Sequence, residues 1–332
     1  MATLKDVARL ANVDVSTVSR ALNNVSYVHP DTKEKILDAV QQLSYRPNLL
    51  AKGLRQGKSH TVGVVIPSIN LSVFGEIVQG IEIEARRFGY GVMICNTEDS
   101  PESEEECIQR LRNGFVDGIV IASTGKHKRL IRDVKCNGIP VVQLVRKQDE
   151  TISSIVADYF KSGYEGTKYL IGKGCKQVGL INGPMEIVPY KERYRGYRKA
   201  IKEFGYEEHV VESNVPKGDY FKGGYQGVAR LLEDCKEIDG VLTSVDMQGI
   251  GVIRALKERG IPVPGKIKVM SLTGHSIGGM LETAMTSMEI PAVEMGRGVT
   301  QMVIEEIEAD PQHKPALQHV VLKVSLVERE TT

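Results

Sequence analysis

The chain has 332 residues, of which 41% are hydrophobic and 26% charged, and its net charge is +1. These values are typical of a globular protein of two or three domains. No apolar run approaches the ~18 residues of a membrane-spanning helix. The first 60 residues carry nine basic and five acidic side chains, so a basic head precedes a mildly acidic body. This asymmetry indicates a polyanionic partner for the head.

The cysteines and the N-terminus indicate the compartment. The five cysteines are dispersed and include no Cys-x-x-Cys pair, which favours reduced thiols over disulfides or zinc ligands. The seven histidines show no metal-ligand spacing. The segment MATLKDVARLANVD is charged and amphipathic and lacks the apolar core of a signal peptide. We therefore expect a cytoplasmic protein without a bound metal or cofactor.

The segment TLKDVARLANVDVSTVSRALNN has the apolar spacing of two short helices joined by a tight turn. Asn12 is suited to the left-handed conformation that ends a helix, and Asp14 to the cap of the next. A third helix is predicted to begin at Pro30. The second helix would direct Val18 inward and leave a small, hydroxylated, arginine-bearing face outside. Such a face is typical of the recognition helix of a helix-turn-helix, although a plain three-helix bundle with a solvated polar face fits the pattern as well.

The run LKDVARLANVDVSTVSRALNN…YVHPDTKEKILDAVQQLSYRPNLLAKGLR resembles the DNA-binding head of the lac-repressor (LacI/GalR) family of bacterial transcription regulators. The elements T-V-S-R-x-L-N, Y-R-P-N and A-x-x-L occur in order at the family's spacing. Asp14 stands where the family usually has Ser, and His29 is a poor cap where Ser or Thr is common. The resemblance implies a helix-turn-helix head over residues 1–46 and a hinge helix over 47–58 that folds on its operator.

The same resemblance assigns roles in DNA binding. It implies that Val15, Ser16 and Arg20 contact base edges. It implies that Thr17, Ser19 and Asn23 contact the DNA backbone. In the hinge, it implies DNA contacts by Ala51, Leu54 and Arg55. Leu54 would be a wedge that enters the minor groove, unstacks a base step and bends the duplex. The alternative for Leu54 is a linker leucine packed on the body.

From Thr61 onward, strands rich in Val and Ile alternate with amphipathic helices, and this series occurs twice. The alternation predicts two α/β lobes with parallel sheets covered on both faces. The resemblance extends through nearly the whole remaining chain. It implies that residues 59–332 form a two-lobed body like a periplasmic binding protein, linked by three crossovers, which dimerises and binds a small effector. Parallel lobes bind ligands at the carboxyl ends of their strands, so we expect the effector in the cleft between the lobes.

The effector positions implied by the resemblance are Phe74, Ser123, Arg146, Asp158, Arg193, Tyr220, Asp246 and Thr273. At other matched positions Val245 replaces an Asn and Ile290 a Gln, and Thr273 itself replaces an Asp. These changes remove groups suited to sugar hydroxyls, while Arg146 and Arg193 remain. Two buried guanidinium groups with few acids nearby favour an anionic effector, such as a sugar phosphate, a uronate or another carboxylate. The alternative is that Arg193 pairs with Asp158 or Asp246 and that the effector is a neutral sugar.

Residues 274–278 spell Gly-His-Ser-Ile-Gly between a predicted strand and a helix, which is the context of a hydrolase nucleophile elbow. A catalytic Ser276 would need an acid and then a histidine after it, and the sequence offers only Asp310 with His313 or His319. The resemblance instead places this strand end in the effector pocket, with Ser276 at the start of the next helix. We therefore expect no enzymatic activity.

These features predict a sequence-specific transcriptional repressor of carbohydrate-related genes. It would bind a near-palindromic operator as a homodimer, under the control of a sugar or an anionic sugar derivative in the cleft. The alternative is a body that responds to a protein corepressor through the helix AVEMGRGVTQMVIEEIEAD. The acidic second half of that helix disfavours this alternative.

Overall fold

The computed structural model describes residues 2–23, 27–45, 58–113, 116–213, 218–310, 312–313 and 315–332. The chain divides into two compact units, with the boundary between Ser59 and His60. The hinge contacts predicted for Ala51, Leu54 and Arg55 lie outside the described residues. Within those ranges, no helix is both long enough and apolar enough to span a bilayer.

The described part of the head consists of three helices, α1 (Leu4–Ala11), α2 (Val15–Asn23) and α3 (Pro30–Gln42). They enclose a small core in which Val18 and Ile36 have no exposed surface. Asn12 ends α1 in the left-handed conformation, and the carbonyl of Asp14 accepts the first backbone bonds of α2. His29 makes no side-chain capping bond to α3. The three predicted helices and the turn between the first two are confirmed.

The described part of the body folds into two α/β lobes, each with a six-stranded sheet. The strands of the N-terminal lobe are β1 (Thr61–Ile66), β2 (Gly91–Asn96), β3 (Gly118–Ile121), β4 (Val141–Leu144), β5 (Ser154–Ala157) and β11 (His319–Leu322). The strands of the C-terminal lobe are β6 (Val178–Asn182), β7 (His209–Glu212), β8 (Gly240–Thr243), β9 (Lys268–Gly274), β10 (Thr286–Glu289) and β12 (Ser325–Val327).

Helices cover both sheets. Those of the N-terminal lobe are α4 (Ser72–Arg87), α5 (Pro101–Arg112), α6 (Lys128–Cys136) and α12 (Ala292–Glu308). Those of the C-terminal lobe are α7 (Tyr159–Gly172), α8 (Val188–Glu203), α9 (Tyr220–Asp234), α10 (Asp246–Glu258) and α11 (Ser276–Gly279).

The strand order is β11-β5-β4-β3-β1-β2 in one sheet and β12-β10-β9-β8-β6-β7 in the other. The described strand pairs are parallel except for β10 with β12. Strands such as β3, β4, β6 and β8 are buried along their whole length, which explains their continuous Val and Ile content. The predicted two-lobed parallel α/β body is confirmed.

The described chain passes between the lobes after β5, after β10 and after β11. These are the three crossovers that the family resemblance implies. Residues that end or follow strands of both lobes, such as Asn96 at the end of β2 and Gly183 after β6, line one cavity. The cleft between the lobes is therefore built from loops of both.

Helix α8 lies unusually close to α7. A Cβ atom on Gly163 of α7 would overlap the carbonyl oxygen of Arg193, and one on Gly196 of α8 would overlap that of Phe160. Glycine at these two positions lets the helix backbones touch. The contact fixes the position of the turn of α8 that carries Arg193.

Candidate functional site

A small chamber lies between the two lobes and has a volume of about 40 Å³. Its lining is mostly apolar and aromatic, with Phe74, Tyr159 and Tyr190 among its walls. The charged groups in the lining are the guanidinium groups of Arg146 and Arg193. Two buried cations in one apolar chamber require either internal counter-ions or an anionic ligand.

Arg146 follows β4 in the N-terminal lobe and is only 4% exposed. Its Nη1 donates to Oδ1 of Asp99, and its Nη2 donates to Oδ2 at 2.9 Å. Burial alone would lower the pKa of Arg146, but the hydrogen bonds and charge of Asp99 raise it above its ordinary value. This guanidinium therefore has its counter-ion inside the protein. The expectation that acids are scarce around both arginines is wrong for Arg146.

Arg193 on α8 is 3% exposed, and its Nη2 donates to Oγ1 of Thr273 at the end of β9. The guanidinium carbon lies 4.6 Å from the ring centre of Tyr159 and 5.8 Å from that of Tyr190. Burial lowers the pKa of Arg193, and the two tyrosines offset this only in part. Within the described ranges no carboxylate pairs with Arg193, and its Nε atom has no hydrogen-bond acceptor.

The two acids suggested by the sequence as partners of Arg193 have other roles. Asp158 caps α7, where its Oδ1 accepts from the backbone nitrogen of Lys161 at 2.9 Å. Asp246 begins α10 and is 1% exposed, and its Oδ2 accepts from the backbone nitrogen of His275 at 2.9 Å. Burial raises the pKa of Asp246 to about 6. The alternative in which Arg193 pairs with Asp158 or Asp246 is therefore wrong.

A larger cavity of about 560 Å³ adjoins the chamber, and the two share the side chains of Ile187 and Tyr190. Its lining is more polar than that of the chamber. Polar and charged side chains come from both lobes: Ser68, Asn70, Asn96, Glu98, Asp99, Thr124, Lys126, Glu186, Ser213, Asp219, Tyr220 and Gln248. A polyhydroxylated ligand could lie in this cavity and extend one group toward Arg193.

The structure brings most of the predicted effector residues together. Phe74, Arg146, Arg193 and Thr273 line the chamber, and Tyr220 lines the larger cavity. The linings of the two cavities do not include Ser123, Asp158 or Asp246. The hydroxyl of Ser123 donates to the buried carboxylate of Glu104 at 3.1 Å, beside the loop that carries Arg146.

Ser276 does begin a helix, as the resemblance implies. Its Oγ donates to Oε1 of Glu76 at 2.8 Å, and Nδ1 of His275 lies 3.1 Å from Oε2 of the same carboxylate. His319, offered by the sequence as a possible base, lies in β11 of the other lobe and contacts Ser154. Ser276 and His275 thus bond the same carboxylate rather than each other, which is not the serine–histidine–acid arrangement of a hydrolase.

The outer face of α2 has the predicted composition. Ser16 and Arg20 are exposed and Val15 is 38% exposed, while Arg20 Nη2 lies 3.4 Å from Ser16 Oγ. Thr17 and Ser19 are half-buried beside them, and Asn23 is the last residue of the helix. The side chains on this face are short near the start of α2, so a duplex could approach the helix closely.

Comparison with known families decides between a plain helical bundle and a DNA-binding head. Residues 3–48 match the family described as bacterial regulatory proteins, lacI family. Residues 59–324 match periplasmic binding proteins and the sugar binding domain of the LacI family. The chain belongs to the lacI family of bacterial regulatory proteins. As a member of the lacI family it is a DNA-binding transcriptional repressor, and its relatives are regulators rather than enzymes.

Relatives in the lacI family match along most of the chain. The ribose operon repressor of Halalkalibacterium halodurans is 32% identical over 100% of this chain and 97% of that protein. Catabolite control protein A of Priestia megaterium is 30% identical over 89% of each. A structure of the lac repressor dimer bound to operator and the anti-inducer ONPF has a TM-score of 0.87 at 25% identity, covering 99% of this chain and 98% of that one.

Sequence reasoning missed several residues around the chamber of this lacI-family protein. Tyr190 lies one helical turn before Arg193, and Tyr159 directly follows Asp158. Both tyrosines could therefore have been predicted from their closeness in sequence to expected effector residues. Asp99 follows β2 closely and could have been found as a strand-end acid. Glu76 gave no signal, because its partner His275 lies 199 positions away in sequence.

Proposed function

We propose that this repressor binds a near-palindromic operator as a homodimer and that a small anionic effector between the lobes sets its affinity for that operator. The lac repressor, a structural relative, is described as a dimer bound to operator, and two-fold symmetry in a protein requires matching half-sites in the DNA. The regulated genes would be carbohydrate-related, in keeping with the names of the relatives. The protein would act in the cytoplasm, where its DNA lies.

In the proposed complex, α2 enters the major groove. Val15, Ser16 and Arg20 contact base edges, and Thr17, Ser19 and Asn23 contact the DNA backbone. The exposed face of α2 supports this assignment, since its short side chains surround one arginine that can bind guanine through two hydrogen bonds. The head would span residues 1–46 and the hinge 47–58, where Ala51, Leu54 and Arg55 contact the minor groove and phosphates. The body would span 59–332.

Selection of bound duplexes from a random pool tests the DNA-binding proposal and yields the operator. With that operator, Arg20→Ala should weaken specific binding by about 1–3 kcal/mol and leave binding to random DNA nearly unchanged. Leu54→Ala should reduce operator bending in a gel assay while circular dichroism shows a folded protein. If Arg20→Ala lost equal affinity for specific and random DNA, Arg20 would not contact base edges. If Leu54→Ala left the operator bend unchanged, Leu54 would not be the wedge.

The anionic class of the effector rests on one observation, namely that Arg193 is buried without a carboxylate partner among the described residues. A phosphate or carboxylate oxygen can accept from a guanidinium and neutralise it at the same time. The apolar walls of the chamber strengthen that attraction because they exclude water. A neutral hydroxyl would leave the charge uncompensated.

A neutral sugar is the second candidate, and the names of relatives favour it. A structural relative at 26% identity is described as a complex of the regulator CelR with cellobiose, and another at 25% identity as a complex with D-xylulofuranose. In that case Tyr159, Tyr190 and Thr273 would be the only compensation for Arg193 among the described residues of the chamber. A protein corepressor has no comparable support in the names of the relatives or in the acidic second half of α12.

An operator-binding assay with matched ligands separates these candidates. D-glucuronate and D-ribose 5-phosphate should change the affinity for the selected operator, whereas D-glucose and D-ribose should not. Thr273→Asp would place a carboxylate at the group that now bonds Arg193, so the response to anions should fall by about tenfold or more. Thr273→Asn is the matched control without the charge, and a loss of response equal to that of Thr273→Asp would contradict the electrostatic explanation.

A further inference from the structure

The end of β9 makes two contacts within four residues. Thr273 accepts the hydrogen bond of Arg193 inside the chamber. His275 and Ser276 contact Glu76, which belongs to α4 of the N-terminal lobe. One short segment of the C-terminal lobe therefore touches both the chamber and the opposite lobe.

Glu76 receives several hydrogen bonds at this point. Its Oε1 lies 2.8 Å from the hydroxyl of Ser276 and 3.4 Å from the backbone nitrogen of the same residue. Its Oε2 lies 3.1 Å from Nδ1 of His275. An ionised carboxylate can only accept, so Nδ1 of His275 carries the hydrogen in this bond. The bond from His275 lowers the pKa of Glu76 to about 2 against the opposing effect of burial.

Both ends of this contact are held by rigid elements. On one side, Ile77 and Ile81 anchor α4 in the core of the N-terminal lobe, where both are fully buried. On the other side, the His275 side chain is only 2% exposed, and its backbone nitrogen donates to Asp246 at the start of α10. A surface ion pair between two long, mobile side chains contributes little, but here His275 is buried and Glu76 is bonded by two residues at once.

We propose that Glu76 is an interlobe latch, which holds the lobes in the arrangement seen here through its bonds to His275 and Ser276. Because Thr273 lies in the same strand end, a ligand that moves Thr273 also moves the residues that hold Glu76. The latch goes beyond the proposed function, since it acts on the lobes whether or not the effector is an anion.

The two partly or fully exposed cysteines allow the latch to be measured without a ligand. Cys136 lies in the N-terminal lobe and is exposed, Cys235 lies in the C-terminal lobe and is partly exposed, and the other three cysteines are buried. Spin labels on Cys136 and Cys235 report the interlobe distance. Dilution of the labelled chain into an excess of unlabelled protein removes distances between subunits.

Glu76→Ala should reduce the population with the native interlobe distance, relative to open or rotated arrangements, by about tenfold, because bonds to an ionised group are lost. Glu82→Ala is the matched control, since Glu82 lies on the same helix and bonds Arg86 of that helix at 2.9 Å. Ser276→Ala should give a smaller shift in the same direction, and it serves as the test if Glu76→Ala does not fold. A distance distribution in the latch variants equal to that of Glu82→Ala would overturn the proposal.

Discussion

The N-terminal and C-terminal walls of the chamber bury charge in different ways. In the N-terminal lobe, Arg146 and Asp99 meet in a two-point contact and neutralise each other. In the C-terminal lobe, Arg193 is buried and has no carboxylate partner among the described residues, since Asp246 lies outside the chamber lining and bonds His275 instead. Arg146 has its counter-ion within the protein, whereas Arg193 has none among the described residues. This difference is the basis of the proposal that Arg193 binds an anion.

Among the substitutions that test this comparison, removal of Asp99 should change the stability of the protein most. Asp99→Ala leaves Arg146 buried without its counter-ion, so the free energy of unfolding should fall by about 3–5 kcal/mol. Urea unfolding followed by circular dichroism measures the loss. Glu82→Ala removes an exposed pair with Arg86 and should cost less than about 1 kcal/mol. If the two variants were equally stable, the N-terminal wall would not depend on its ion pair.

Asp246 should make stability depend on pH. Its pKa of about 6 in the folded state exceeds the ordinary value of 3.8, so the folded protein binds an extra proton between these values. Its contribution to stability is therefore lost as pH rises from about 4 to 6. The stability of Asp246→Asn relative to the native chain should rise over that range by about 2–3 kcal/mol and then level off. A relative stability that does not change with pH would contradict the elevated pKa.

Substitution of Arg193 should change the stability of the protein least. The direction of that change, compared with the change caused by substitution of Arg146, distinguishes the two walls of the chamber. Arg193→Met removes a buried charge that has no carboxylate partner among the described residues, so the ligand-free protein should become about 1 kcal/mol more stable. Arg146→Met leaves Asp99 without its partner and should lower stability. Thermal and urea unfolding measure both variants, and destabilisation by both would mean that the walls do not differ.

Much of the fold is predictable from the sequence because its signals are local. Periodicity, the capping preferences of Asn12 and Asp14, and Pro30 at a helix start define the head. Alternation of Val- and Ile-rich strands with helices defines the lobes. The strand-end rule then places Phe74, Arg146, Arg193 and Thr273 near one cleft without any knowledge of their contacts.

The pairing of charges is not predictable in this way, because it depends on geometry across loops and lobes. Asp99 reaches Arg146 from a loop 47 residues earlier. Asp158 and Asp246 stand at similar strand ends, but one caps its own helix and the other bonds the backbone of His275. The position of a residue at a strand end predicts which edge of the sheet it occupies, but it does not predict the direction of its side chain.

Calorimetric titration of the purified protein tests the central claim most directly. D-glucuronate and D-ribose 5-phosphate are compared with their neutral counterparts D-glucose and D-ribose under the same buffer and salt. If Arg193 binds an anionic effector, at least one charged ligand gives a heat of binding and its neutral counterpart gives none. Arg193→Met then abolishes this difference between the charged and the neutral ligand. Binding of a neutral sugar alone, with no response to any anion, would contradict the account.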